Sequence, residues 1–249
     1  MATCVRPERS TITIQMAEIP KWPTYYGSPE NEPGRLPNEI PFVSASFDYP
    51  FLMGIYPVTQ IEWYEVMNSA PSSSPGPRNP VEQVTWDDAW EFIRRLNLRL
   101  NIRGIDKFRL PTEMEWEHAC RAGSGSAWHF GDNAKDLDRY AWSSNSPGDS
   151  TMPVGLKEPN AFGLYDMHGN VSEWVDKPYR PLGEAHMRLH RGGSWLSAPS
   201  FTRSASRGMN WKHVKSSCIG FRLARSIPRF PGINARPRLP SAGETFGQE

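Results

Sequence analysis

The chain has 249 residues, enough for one large domain or two small ones with a substantial core. Its 28 Lys and Arg against 27 Asp and Glu leave a formal charge of +1, which argues against coating nucleic acid or an anionic membrane. Aromatic residues reach 12%, including 10 Trp, so a chain disordered throughout is excluded.

The first residues, Met1 to Arg9, contain no apolar run, and no later stretch approaches the ~18 apolar residues of a membrane span. A cytoplasmic protein without a membrane span is expected. Cys4, Cys120 and Cys218 lie far apart with no paired spacing, and read as free thiols in a reducing compartment. With 24 Pro and 20 Gly, turns and long ordered loops should be abundant.

In chain order, Phe51–Tyr56 is the first short apolar run with strand character. Thr59 with Glu62, Thr85 with Asp88 and Thr112 with Glu115 then mark three helix starts, each a hydroxyl followed three residues on by an acid. After Thr85, apolar residues at Trp86, Ala89, Trp90, Ile93, Leu96 and Leu100 fall at helical spacing. After Thr112 come Met114, Trp116 and Ala119, with Gly123 as the stop. The acids Asp87, Asp88, Glu113 and Glu115 sit in first helical turns, where the helix dipole accounts for them. Met152–Leu156 and Ile219–Ala224 are further strand candidates. A mixed α+β domain with much irregular structure follows. Residues 226–249 are punctuated by Pro228, Pro231, Pro237 and Pro240 and read as an extended, Pro/Arg-rich tail.

Several stretches are too specific for composition alone: Gly27–Arg35, Met53–Gln60, Asn79–Trp86, Phe108–Trp116, Pro153-Val-Gly155, Pro159–Trp174, Arg191-Gly-Gly-Ser-Trp195 and Ile219-Gly-Phe-Arg222. In this order and spacing they resemble the formylglycine-generating enzyme (sulfatase-modifying factor) family. The resemblance spans residues 17–225, leaving 1–16 as an N-terminal extension and 226–249 as the tail. It implies a modified C-type lectin-like fold, with little regular structure, a small antiparallel sheet and flanking short helices. Pro20, Trp22 and Pro23 depart from the family's usual first strand and point to an altered sheet edge. The resemblance also implies structural calcium, held by side-chain oxygens of Asn170 and Glu173 with the carbonyl of Val171.

Formylglycine formation in that family uses two cysteines that bind Cu(I) as thiolates just after the Gly-Gly-Ser-aromatic turn. By the resemblance those positions are Ser197 and Thr202, whose hard, alcohol-like oxygens do not replace soft thiolates. No copper is expected, and formylglycine formation is not expected either. A second chemistry among relatives, iron-dependent C–S bond formation, draws its histidines largely from an added N-terminal helical domain. The sequence ahead of Ile19 is too short to hold such a domain, so that chemistry is not expected. His186 and His190 are four apart, but Gly183 and the Arg-Gly-Gly turn place them in loop or strand. His168, inside the Asp-Met-His-Gly-Asn turn, is assigned hydrogen bonding in that turn. No nucleophile elbow, phosphate loop or His-Glu-x-x-His occurs.

What remains is a binding surface. The segment between Trp195 and Ile219 offers Leu196, Ser197, Phe201, Thr202, Met209, Asn210, Trp211 and His213, large apolar groups among small polar ones. Arg203, Arg207, Arg222, Arg225 and Arg229 are assigned to buried ion pairs, with an acidic partner surface as the alternative. The reading is a non-catalytic binding or assembly module that uses the 196–218 surface and the tail to contact a protein partner, as a subunit of a larger assembly. Two alternatives stay open. One is an oxygen-using, metal-dependent oxidoreductase of sulfur chemistry with a non-standard metal site. The other is a ligand-binding receptor resembling the variable proteins of diversity-generating retroelements, which diversify the corresponding cassette.

Overall fold

The computed structural model describes residues 12–21, 23–47, 49–178 and 186–227. The tail beyond Ile227, Arg229 and Cys4 lie outside the described residues. In chain order the strands and helices are β1 (Met16–Ile19), β2 (Pro23–Tyr26), β3 (Val43–Ser46), β4 (Phe51–Gly54), α1 (Gln60–Met67), α2 (Trp86–Arg99), β5 (Phe108–Arg109) and α3 (Glu113–Arg121). They continue with α4 (Leu137–Tyr140), β6 (Ser172–Pro178), β7 (Met187–Arg191), β8 (Arg207–Trp211), β9 (Ile219–Phe221) and β10 (Ala224–Ser226). Strands run in the orders β1-β4-β10-β5, β2-β3 and β8-β7-β6-β9, antiparallel except for the β6–β9 pair.

The three helix starts form as their sequence spells them. Each threonine hydroxyl accepts the N–H three residues on, and each acid reaches back to the threonine N–H at 2.8, 3.0 and 2.8 Å. Asp88 closes its box as fully as the two glutamates do, although its side chain is shorter. Helix α3 stops at Ala122, left-handed at φ 47°, one residue before Gly123.

The buried face of α2 is Ala89, Phe92, Ile93 and Leu96, which corrects the expected stripe at both ends. Phe92 is fully buried, stacked on Trp63 at 5.5 Å and edge-on to Phe221. Leu100 is 36% exposed, and Trp86 and Trp90 are half-buried around the helix. Ile12 and Ile14 already pack on this cluster, so the domain begins before residue 17. A second cluster gathers Ile19, Phe51, Met53, Trp116, Val175 and Leu189 under α3.

β1 ends at Ile19, just before Pro20, and lies at the edge of its sheet. The chain then restarts at Pro23 in a separate two-stranded sheet, which is the altered edge that the prolines predicted. Met152–Leu156 is not a strand. Its N–H groups donate instead to Asn170 Oδ1 (Met152), the Arg78 carbonyl (Val154) and Asp166 Oδ2 (Gly155), so no ladder remains to be made.

At the centre lies one fully buried ion pair. Arg222 donates to both oxygens of Glu173 at 2.9–3.1 Å and to the carbonyls of Gly54, Ile55 and Tyr165 at 2.7–2.9 Å. Trp116 Nε1 donates to the same carboxylate at 2.6 Å. Arg222→Met leaves Glu173 buried without its cation and is expected to cost about 3–5 kcal/mol. Urea denaturation checks this, and adding Glu173→Leu to that variant is expected to recover part of the loss.

Candidate functional site

The candidate face begins at a double turn. Gly192 and Gly193 have φ of +94° and +70°, and a Cβ on Gly193 would meet Phe201 O and Thr202 Cγ2 at 2.9 Å. Two glycines therefore let the chain leave β7 and fold flat against the short 3-10 turn Pro199–Thr202. That turn is anchored from below by Arg203, which pairs with Glu32 and Glu39 and so ties it to the loop after β2.

Between the turn and the β7–β8 hairpin lies a cavity of about 130 Å³, lined by Ser172, His190, Ser197, Phe201, Ser206 and Arg207 together with glycines. Arg207 is held rigidly: its guanidinium spans Glu113 at 2.5 and 3.1 Å and reaches the Asn38 carbonyl at 2.6 Å. His190 packs edge-on against Trp174 at 5.6 Å, and burial followed by the charge of Arg191 pushes its pKa down to about 4. It presents a neutral imidazole at pH 7. His190 lies opposite Gly208 in register, where a Cβ would sit 2.0 Å from its ring. That missing side chain makes room for the His190 ring, which forms one wall of the cavity.

The two hydroxyls at the copper positions serve the protein itself. Ser197 Oγ accepts the Ser194 N–H at 2.9 Å and touches Ser194 Oγ at 3.2 Å. Thr202 is fully buried, donates to the Pro199 carbonyl at 2.8 Å and accepts from Trp128 Nε1 at 3.0 Å. Cys218 is half-buried and packs on the α2 cluster. It does not line the cavity.

The rest of the segment divides into core and surface. Leu196, Phe201 and Trp211 are 62%, 48% and 46% exposed, and His213 stacks on Trp211 at 6.3 Å. Met209 is half-buried against the cluster under α3, and Asn210 is half-buried beside His190. Arg203, Arg207 and Arg222 form buried ion pairs as expected, while Arg225 pairs with Asp106 nearer the surface.

Three polar assignments change. Glu113 and Glu115 are buried and pair with Arg207 and Arg109, a role beyond dipole compensation. His168 is fully buried: its Nδ1 lies 2.7 Å from the Thr202 carbonyl, its Nε2 accepts the His129 N–H, and Cys120 Sγ lies 3.7–3.8 Å from the ring nitrogens. Burial pushes the Cys120 thiol up to about 12, so this knot holds a neutral thiol beside neutral histidines. The third change concerns calcium. Both Glu173 oxygens face Arg222, and one also accepts from Trp116. Asn170 Oδ1 accepts the Met152 N–H at 3.1 Å. With its one carboxylate already neutralised and the amide oxygen engaged, the Asn170–Val171–Glu173 set does not fit the oxygen cage a calcium ion needs. Among the described residues no group of three or more His, Cys, Asp or Glu is placed to hold a metal.

Residues 5–227 match the family described as "Sulfatase-modifying factor enzyme 1-like domain". The chain belongs to this family. Chaperone protein LppX of Paenibacillus barcinonensis is 30% identical over 226 residues, covering 71% of this chain and 80% of that protein. The inactive C-alpha-formylglycine-generating enzyme 2 of Mus musculus is 36% identical over 165 residues, 60% of this chain and 50% of that protein. Among solved structures, Treponema denticola variable protein 1 superposes with a TM-score of 0.79 at 26% identity, covering 89% of this chain and 98% of that one. The architecture is thus the formylglycine-generating enzyme type of C-type lectin-like fold, as the motifs implied. This family member carries internally bonded hydroxyls where the resemblance places the copper thiolates.

Buried neutral histidines make a pH prediction. Burial lowers His129 and His190 to about 4, against about 6.5 when unfolded. Between those values the unfolded chain binds protons that the native chain does not. Their contribution is therefore complete above pH 6.5 and is lost as pH falls toward 4. Asp166, raised to about 6 by burial, opposes them in part of this window. His190→Gln is expected to flatten the decline in stability from pH 7.5 to 5 by about 1–2 kcal/mol, read from urea midpoints at each pH.

Proposed function

We propose that this chain is a non-catalytic member of the sulfatase-modifying factor family, a binding or assembly module that contacts a protein partner in the cytoplasm. The observation that carries the reading is the face around the Gly192-Gly193 turn. Phe201 lines a small polar cavity and is 48% exposed, Leu196 is exposed next to Ser197 of the same lining, and Trp211 is 46% exposed at the other end of β8, all on a scaffold pinned by buried arginines. Exposed aromatics on a rigid base bind with little loss of side-chain freedom. The hydroxyls of Ser197 and Thr202 support the same reading, since neither offers a metal a soft ligand. Relatives named as an inactive formylglycine-generating enzyme and as a chaperone protein agree with a role that acts through contact. The 226–249 tail is proposed as a second contact.

A second reading has its own support. The likeness to a protein named variable protein 1 favours a ligand-binding receptor whose 196–218 cassette is the recognition surface. A nearby near-copy of that cassette in the gene's surroundings, differing mainly at adenines, would favour it over a fixed partner.

The test places a photo-crosslinking amino acid at Phe201, at Trp211 and, as a control, at Lys135 in the cells that make the protein. One discrete protein adduct is expected from the first two sites and none from the third. Phe201→Ala and Trp211→Ala are each expected to weaken that complex about tenfold or more. Stoichiometric copper or iron in the purified protein, with oxygen consumed on a thiol substrate, would instead establish the oxidoreductase.

A further inference from the structure

A separate cavity of about 200 Å³ shares no lining residue with the first. It forms where the lead-in to β1, the end of β4, the first turn of α1 and the Pro153-Val-Gly155 turn converge. Val58, Ile61 and Leu223 make it apolar, with Tyr56 against them. Glu62 and Arg78 add one charge of each sign to the same lining.

These two charges are coupled but do not touch. Glu62 Oε2 is taken by the N–H and hydroxyl of Thr59, each at 2.8 Å, while Oε1 has no hydrogen-bond partner among the described residues. Arg78 is exposed and makes one long bond, from Nη2 to the Val154 carbonyl at 3.5 Å. The guanidinium is close enough to counter the rise that burial imposes on the Glu62 carboxyl. Yet no ion pair within 4.0 Å joins them. An acid and a base that line one cavity, feel each other's field and leave a gap are arranged to be bridged. A ligand with one charge would satisfy one wall and leave the other facing an empty partner. A ligand with both charges completes the pair and leaves its apolar part for Val58, Ile61 and Leu223. The volume is below the ~300–1,000 Å³ typical of drug-sized sites, so the occupant is a small metabolite.

We propose that this cavity binds a small zwitterion with an aliphatic body, of the class of a free aliphatic α-amino acid. The ammonium group sits on Glu62 Oε1, the carboxylate on Arg78, and the side chain against Val58, Ile61 and Leu223. This site is independent of the partner-binding face and does not rest on that reading.

Calorimetric titration of the full-length protein with L-leucine, 3-methylbutylamine and 4-methylpentanoate tests the assignment, with methyl NMR of Val58, Ile61 and Leu223 locating the site. Leucine is expected to saturate and to bind about tenfold or more tighter than either single-charge analogue. Glu62→Gln keeps the helix cap, because glutamine serves at the third helical position. Arg78→Met alters an exposed side chain. Each is expected to weaken leucine about tenfold while leaving the urea midpoint in place. Failure of leucine to saturate by roughly 10 mM overturns the proposal. So does equal binding of the amine or the acid, unchanged affinity in both variants, or shifts confined to the cavity beside His190.

Discussion

The carboxylate of Glu173 and the guanidinium of Arg222 hold the molecule together at a point where neither can reach water. A buried charge survives only when its partner and every remaining donor are satisfied. Arg222 meets that demand by gathering carbonyls from the end of β4 and from the loop at Tyr165, while Glu173 also receives α3 through Trp116. Five separate parts of a loop-rich chain thereby share one electrostatic centre. With so little regular ladder, such a centre does what a large sheet does elsewhere: it specifies which loops are neighbours.

The same device repeats outward. Arg191 and Arg121 share Glu117 beneath the second core cluster, and Gly27 N–H donates to that carboxylate as well. Arg203 with Glu32 and Glu39, and Arg207 with Glu113, carry the pattern to the underside of the 196–218 segment. Each guanidinium has a planar set of donors that can bond a carboxylate and carbonyls at once, which the point charge of lysine cannot do. The 21 arginines against 7 lysines, in a chain of net charge +1, are the compositional trace of this inward use of charge.

Local chemistry was legible in the sequence and long-range pairing was not. Threonine followed three residues later by an acid located all three long helices, because a cap is satisfied within one turn. Glu113 illustrates the limit: its place in a first helical turn explains an acid there, yet its partner Arg207 is 94 residues away. His168 was read as a turn residue and is one, but the turn itself is buried under His129, Phe130 and the 3-10 segment, which no local spacing reports. The oxygens of Asn170 and Glu173 had the chemistry of a calcium site. Their commitment to Met152, Trp116 and Arg222 emerges only once distant segments meet. The motifs themselves identified the fold, since they contain residues of these remote contacts without showing which residues touch.

The Gly192-Gly193 turn has a consequence for how such a surface changes through evolutionary descent. A Cβ on Gly193 would collide with the Phe201 carbonyl and one on Gly192 would crowd Trp116 at 3.0 Å, with both residues at positive φ, so the entrance to the segment is fixed. Its exit is fixed by Ile219, paired in β9 to Ser172 of β6. Between these two clamps, Leu196, Ala198, Phe201, Trp211 and His213 point to solvent, while Thr202 through Ser206 stay buried. Substitutions at the first group leave the anchoring contacts untouched, and those at the second break them. Descent can therefore rewrite the chemistry this face presents while the frame beneath it stays the same.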